Sequence, residues 1–95
     1  MIICKSSAEI KRMRVANALV AEILGTLEAA VGPGVTTTDL DELADQMIQK
    51  AGAISAFKGY RGYPSTLCAS INEQVVHGVP SNRQLVEGDI VSLDM

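Results

Sequence analysis

Apolar positions in the first third of the chain recur at steps of three and four: Ile10, Met13, Ala16, Leu19, Val20, Ile23, Leu24, Leu27 and Val31. That is the period of an α-helix with one buried stripe, and it predicts a long helix over 7–31. Ser6 or Ser7 supplies a hydroxyl cap at its start. Gly32, Pro33 and Gly34 end it, because proline removes a donor and the glycines permit positive φ on either side. A second helix follows over 38–51. Thr36, Thr37 and Thr38 offer its cap, Asp39, Asp41 and Glu42 place carboxylates in its first turn, and Lys50 and Gly52 close it. Leu40, Leu43, Ala44, Met47 and Ile48 form its apolar face.

Beyond residue 52 the pattern changes to shorter apolar runs with β-branched residues, divided by glycine and proline. Strands are expected over 53–57, 66–71, 74–76 and 89–95, with a turn at 80–82 and a tight entry at 87–89. In the last strand Val91, Leu93 and Met95 share one face, and Ile90, Ser92 and Asp94 the other, because side chains alternate. Helices first and strands after read as an α+β chain. No segment repeats and none is of low complexity.

Composition narrows the function classes. Ninety-five residues, 47% apolar and 20% charged, suit one folded domain. The net charge is −3 and the only basic cluster is Lys11, Arg12 and Arg14, so no basic stripe offers a footprint for nucleic acid. The most apolar window, 15–31, carries Glu22 and Glu28 and is too short to span a bilayer, so no membrane is implied. Cys4 and Cys68 have no partner at metal-finger spacing and form no disulfide framework. With no signal-peptide layout at the N-terminus, a cytoplasmic protein is expected.

The chemistry concentrates in 57–94. This stretch holds Phe57, Tyr60 and Tyr63, which are the one Phe and both Tyr, together with the one His, His77. Aromatic walls, an imidazole and a carboxylate in an apolar run make a polar site in an apolar pocket. His77 leaves a β-branched pair, Val75 and Val76, where the chain turns, and an imidazole there can donate to a substrate carbonyl or sit as a structural group. Asp94, between Leu93 and Met95, is costly to ionise unless paired, metal-bound or open to solvent. Phe57, Tyr60 and Tyr63 bracket two glycines and can line an apolar slot or anchor a surface loop. Cys68 reads as a small buried hydrophobe. No P-loop, nucleophile elbow or CxxC is present.

Blocks over 9–16, 31–37, 59–64, 68–73, 76–80 and 88–94, taken in that order, resemble the N-terminal half of a type I methionine aminopeptidase. The resemblance implies the pita-bread (creatinase/aminopeptidase) fold, with two helices packed on a curved antiparallel sheet, and a single truncated half-domain over 1–95. It implies removal of the initiator methionine from nascent peptide N-termini by hydroxide generated between two divalent cations, Co, Mn, Fe or Zn. His77 would then hydrogen-bond the substrate peptide and stabilise the tetrahedral intermediate. Tyr60, Tyr63 and Cys68 would wall the methionine slot, with Phe57 where many relatives carry a smaller residue. Asp94 would be the first metal ligand. The carbonyls of Asn72 and Gln74 would match a monovalent-cation loop.

The family's ligands are Asp, Asp, His, Glu and Glu, and this sequence supplies the first. The expectation is therefore a chain that is inactive by itself and that homodimerises or pairs with a C-terminal half, across an open sheet edge and an apolar patch. Two other readings stand beside it: a non-catalytic relative that binds peptides or partner proteins in the same cleft, and a self-associating structural half-domain.

Overall fold

The computed structural model describes residues 2–74 and 78–95. Helix α1 spans Ser7–Ala30 and α2 spans Thr37–Lys50; a short 3-10 turn at Tyr60–Gly62 precedes strands β1, Cys68–Ile71, and β2, Val91–Asp94. The strands pair antiparallel.

Both helices open as the sequence expects, each with a reciprocal cap. Ser6 Oγ accepts the Glu9 amide at 3.2 Å while Glu9 Oε1 accepts the Ser6 amide at 2.9 Å. Thr36 and Asp39 repeat the exchange at 3.1 and 3.0 Å. Helix α2 ends in a glycine-dependent motif: the Gly52 amide reaches Gln49 O and the Ala53 amide Ile48 O, both at 3.0 Å, with Gly52 at φ 70.

Ile23 and Leu27 of α1 pack with Leu40, Ala44 and Ile48 of α2, Leu67, Ala69 and Ile71 on and before β1, and Leu85 from the loop that returns to β2. That return is tied down where 34–36 meets 84–85: Leu85 accepts from Gly34 and donates to Val35 O, both at 2.8 Å. Thr37, 1% exposed, both donates to Ser81 O at 3.2 Å and accepts from Ser81 N at 2.8 Å.

Several expectations are corrected. The α1 stripe is buried only in its C-terminal half, where α2 covers it; Ile10 and Met13 stay 43% and 44% exposed. No strand forms over 53–57. The chain leaves α2 in a left-handed turn, Ser55 Oγ accepts the Lys58 amide at 3.2 Å in a local bend, and Ile54 is 94% exposed. The expected strand 66–71 shortens to Cys68–Ile71 because the amides of Thr66 and Leu67 are held by the Asp41 carboxylate, not by a neighbouring strand. The strand over 89–95 shortens to Val91–Asp94, since the Asp89 and Ile90 amides go to Val86 O and Asn72 Oδ1. Of the segment 74–76, Gln74 lies in a turn with its amide on Ile71 O, and Val75 and Val76 are outside the described residues.

Candidate functional site

Between α2 and β1 the backbone folds back on itself. Gly59 N reaches Tyr63 O at 2.8 Å and Tyr63 N reaches Tyr60 O at 3.0 Å, with Gly59 at φ 85, Arg61 at φ 48 and Gly62 at φ 80. These positive dihedrals explain the two glycines: they let the loop curl tightly enough to present three rings on one side. Phe57 and Tyr63 meet edge to face, centroids 6.1 Å apart and planes at 76°. Tyr60 remains 61% exposed, with the Arg61 guanidinium 5.3 Å from its centroid.

Phe57, Tyr60, Tyr63 and Cys68, with Arg61 and Pro64, line an open cavity of about 440 Å³. The sequence-nominated aromatic and thiol residues are therefore brought together. Tyr63 is the fixed member. Its hydroxyl donates to Leu67 O at 2.9 Å, with Gly78 O nearby at 3.3 Å. Burial, followed by the Cys68 thiol and the Asp41 carboxylate, pushes the phenol well above its ordinary value.

Sheet register brings in the carboxylate. Asp94 stands directly opposite Cys68, so the two share a face of the sheet. Asp94 occupies an exposed position of the β2 alternation, next to the cavity and not in its wall. Solvent exposure removes the cost of the ionised carboxylate that its apolar neighbours suggest.

Asn72 lies just past the other end of β1, roughly 13 Å along the chain from Cys68, and Gln74 in the turn that follows, its amide on Ile71 O. Asn72, at φ 51, accepts the Ile90 amide on Oδ1 and donates Nδ2 to Asp89 Oδ1, both at 2.9 Å. Gln74 Oε1 accepts the Ile71 amide at 2.9 Å. These side chains lock the turn after β1. His77 is outside the described residues. The residue after it, Gly78, donates to Ser70 Oγ at 3.0 Å and accepts from Ala69 N at 2.8 Å, so the chain rejoins β1 there.

Sequence reasoning gave Asp41 only a place among the first-turn carboxylates of the second helix and passed over Asp45. One helical turn apart on α2, they bind the segment leading into β1: Asp41 takes two backbone amides, and Asp45 Oδ1 accepts the Thr66 hydroxyl at 2.8 Å and lies 3.5 Å from Lys58 Nζ. An i, i+4 acidic pair off the apolar face was the available signal.

The family model for metallopeptidase family M24 matches residues 11–95. The chain belongs to metallopeptidase family M24. Methionine aminopeptidases of Clostridium acetobutylicum and Bacillus subtilis are 56% and 45% identical to it over 95 residues, covering 99% and 100% of this chain and 38% of each relative. Crystal structures of methionine aminopeptidases from Rickettsia prowazekii and Thermotoga maritima superpose with TM-scores of 0.94. They are 39% and 40% identical, and the match covers 99% and 98% of this chain and 38% of each of theirs. This M24 chain thus spans about 38% of the length of the relatives it matches, and its two helices and antiparallel strands have the pita-bread arrangement of those neighbours.

Membership of a metallopeptidase family implies use of a divalent metal. Asp94 offers a hard oxygen donor of the right kind. Among the described residues no three His, Cys, Asp or Glu side chains cluster closely enough to hold an ion, so these residues do not make a coordination set by themselves. None of the helices described is long and apolar enough to cross a membrane.

Proposed function

We propose that this M24 chain carries the side-chain slot and the first metal carboxylate of a methionine aminopeptidase, acting on nascent peptide N-termini in the cytoplasm. One observation carries the reading: the pairing of Cys68 with Asp94 sets a carboxylate beside a cavity walled by Phe57, Tyr60 and Tyr63. A cavity of about 440 Å³ lies within the usual range for small-ligand sites. Its rings and thiol suit a flexible thioether, since methionine sulfur packs favourably against aromatic edges.

In this reading the slot holds the methionine side chain and orients the first peptide bond toward the Asp94 end of the sheet. His77 donates a hydrogen bond to the peptide, in keeping with its place just before the Gly78 anchor. The carbonyls of Asn72 and Gln74 contribute to a monovalent-cation loop. When bound, with Asp94 among the ligands, a divalent pair (Co, Mn, Fe or Zn) would supply the activated water. One carboxylate does not hold two such ions, so these 95 residues bind peptide without hydrolysing it. Turnover then requires ligands from a second chain segment, which meets this one over the apolar groove lined by Leu19, Val20, Ile54 and Met95; a second copy seated there gives an inactive homodimer.

Titration of the 15N-labelled chain with L-methioninamide tests the slot. Shifts confined to 57–68, weaker with L-lysinamide, are expected; a methioninamide response no larger than that of lysinamide refutes it. Mn²⁺ broadening centred on Asp94 and lost in Asp94→Asn tests the metal assignment. Sedimentation as a clean monomer at high concentration would remove the self-association arm.

A further inference from the structure

Thr66 and Leu67 are 1% and 0% exposed, and they form the link between the aromatic loop and β1. Buried amides need acceptors, and these two find the same one. Asp41 Oδ1 accepts Thr66 N at 2.9 Å and Leu67 N at 2.8 Å. Bonds to a carboxylate are stronger than bonds to a neutral acceptor. One residue on α2 therefore fixes the peptide plane on the N-terminal side of Leu67. The carbonyl on its C-terminal side receives the Tyr63 hydroxyl at 2.9 Å. Tyr63 in turn props Phe57 edge to face and lines the cavity beside Cys68.

We propose that Asp41 is a positioning residue for the slot: it holds the Leu67 carbonyl where it pins Tyr63, and so sets the aromatic wall from a helix that does not line the cavity. Asp45 supports the same segment through the Thr66 hydroxyl and tethers Lys58, next to Phe57. Because both amides converge on one oxygen, the relay needs an acceptor at that point, and the carboxylate charge strengthens it. Asparagine, which keeps a single side-chain oxygen, preserves it in weaker form; alanine abolishes it.

The proposal rests on the slot reading only for what the wall recognises. Its test is the alkylation of Cys68 by iodoacetamide in a Cys4→Ser chain, where Cys68 is the sole thiol. Cys68 lines the cavity but is only 3% exposed, so reaction requires the wall to swing away. Asp41→Ala is expected to speed it about tenfold or more, because losing the acceptor of two buried amides favours local opening, whereas Asp41→Asn, which keeps two neutral bonds, reacts more slowly than alanine. Tyr63→Phe keeps the ring and drops the hydroxyl, and is expected to speed alkylation as well. Leu85→Val thins the core without touching these bonds and serves as the control for general loosening; it should leave the rate near that of the parent. The relay is overturned if Asp41→Ala reacts at the parent rate in a folded chain, if Asp41→Asn behaves as alanine does, or if the Leu85→Val control accelerates equally. Where Asp41→Ala does not fold, the Asp41→Asn and Tyr63→Phe rates decide. Methioninamide shifts are measured alongside. Their absence from the parent chain would sink the slot reading while leaving the alkylation result to judge Asp41.

Discussion

Gly78 is the residue whose side chain is missing for a reason visible in the structure. A Cβ built there would overlap the Ala69 carbonyl oxygen and sit 2.8 Å from both Ala69 C and Ser70 Cα. All three atoms are backbone of β1, so none can rotate aside. Restoring ordinary contact at 3.4 Å with the overlapping carbonyl oxygen means moving the 78 segment outward by about 1 Å. That stretches two bonds together, Gly78 N to Ser70 Oγ at 3.0 Å and Ala69 N to Gly78 O at 2.8 Å. Overpacking costs about 1–3 kcal/mol, and each weakened bond about 1 kcal/mol more. Gly78→Ala should therefore lose about 3–5 kcal/mol, a large share of the roughly 5–14 kcal/mol available to a domain of this size. Urea unfolding followed by circular dichroism reads the loss as a fall in midpoint of about 2 M, taking a slope near 2 kcal/mol/M. Gly25→Ala supplies the contrast: the glycine lies inside α1 with nothing within 4 Å of an added Cβ, and the change should raise stability by about 1 kcal/mol. A Gly78→Ala midpoint no lower than that of the parent would refute the close-approach argument.

Thr37→Val removes a hydroxyl that serves Ser81 in both directions at a buried site; it should cost about 1–3 kcal/mol in urea unfolding, and a cost near zero would mean that water replaces it. Asp89 is held below its ordinary value of 3.8, first by the Val86 amide and then by the Asn72 side chain. Its contribution is present above pH 3.8 and is lost as pH falls through the lower folded value. Asp89→Asn should flatten that part of the acid limb, and an unchanged limb would count against the assignment. Tyr63, raised chiefly by burial and then by Cys68, contributes stability that is intact below its ordinary value near 10.0 and is lost as pH climbs toward the higher folded value. Tyr63→Phe should remove that alkaline loss from a series of unfolding curves.

Helices were legible because their signals are local. The apolar period placed both, and Ser6 and Thr36 marked their starts within hydrogen-bonding reach of residues three positions on. Strand limits were not, because they depend on partners far along the chain. Thr66 and Leu67 look like strand residues, yet their amides belong to a carboxylate on α2. Residues 53–57 are apolar enough to suggest a strand, but Gly52 turns the chain out and Ile54 ends in solvent. The aromatic loop and Asp94 could be picked out by residue type. What no local pattern encodes is the register that sets Asp94 against Cys68, or the Asp41 relay behind Tyr63.

The pairing of β1 also gives the sheet a single direction of growth. One side of β1 is taken by β2, and on the other the returning chain already receives the Ala69 amide at Gly78 O. Among the described residues β2 pairs with β1 alone. A third strand can therefore be accommodated only across β2, where it would bring one of its own side chains roughly 4.5–5.5 Å from that of Asp94. Any group carried on such a strand thus reaches Asp94 from the side of β2 turned away from β1.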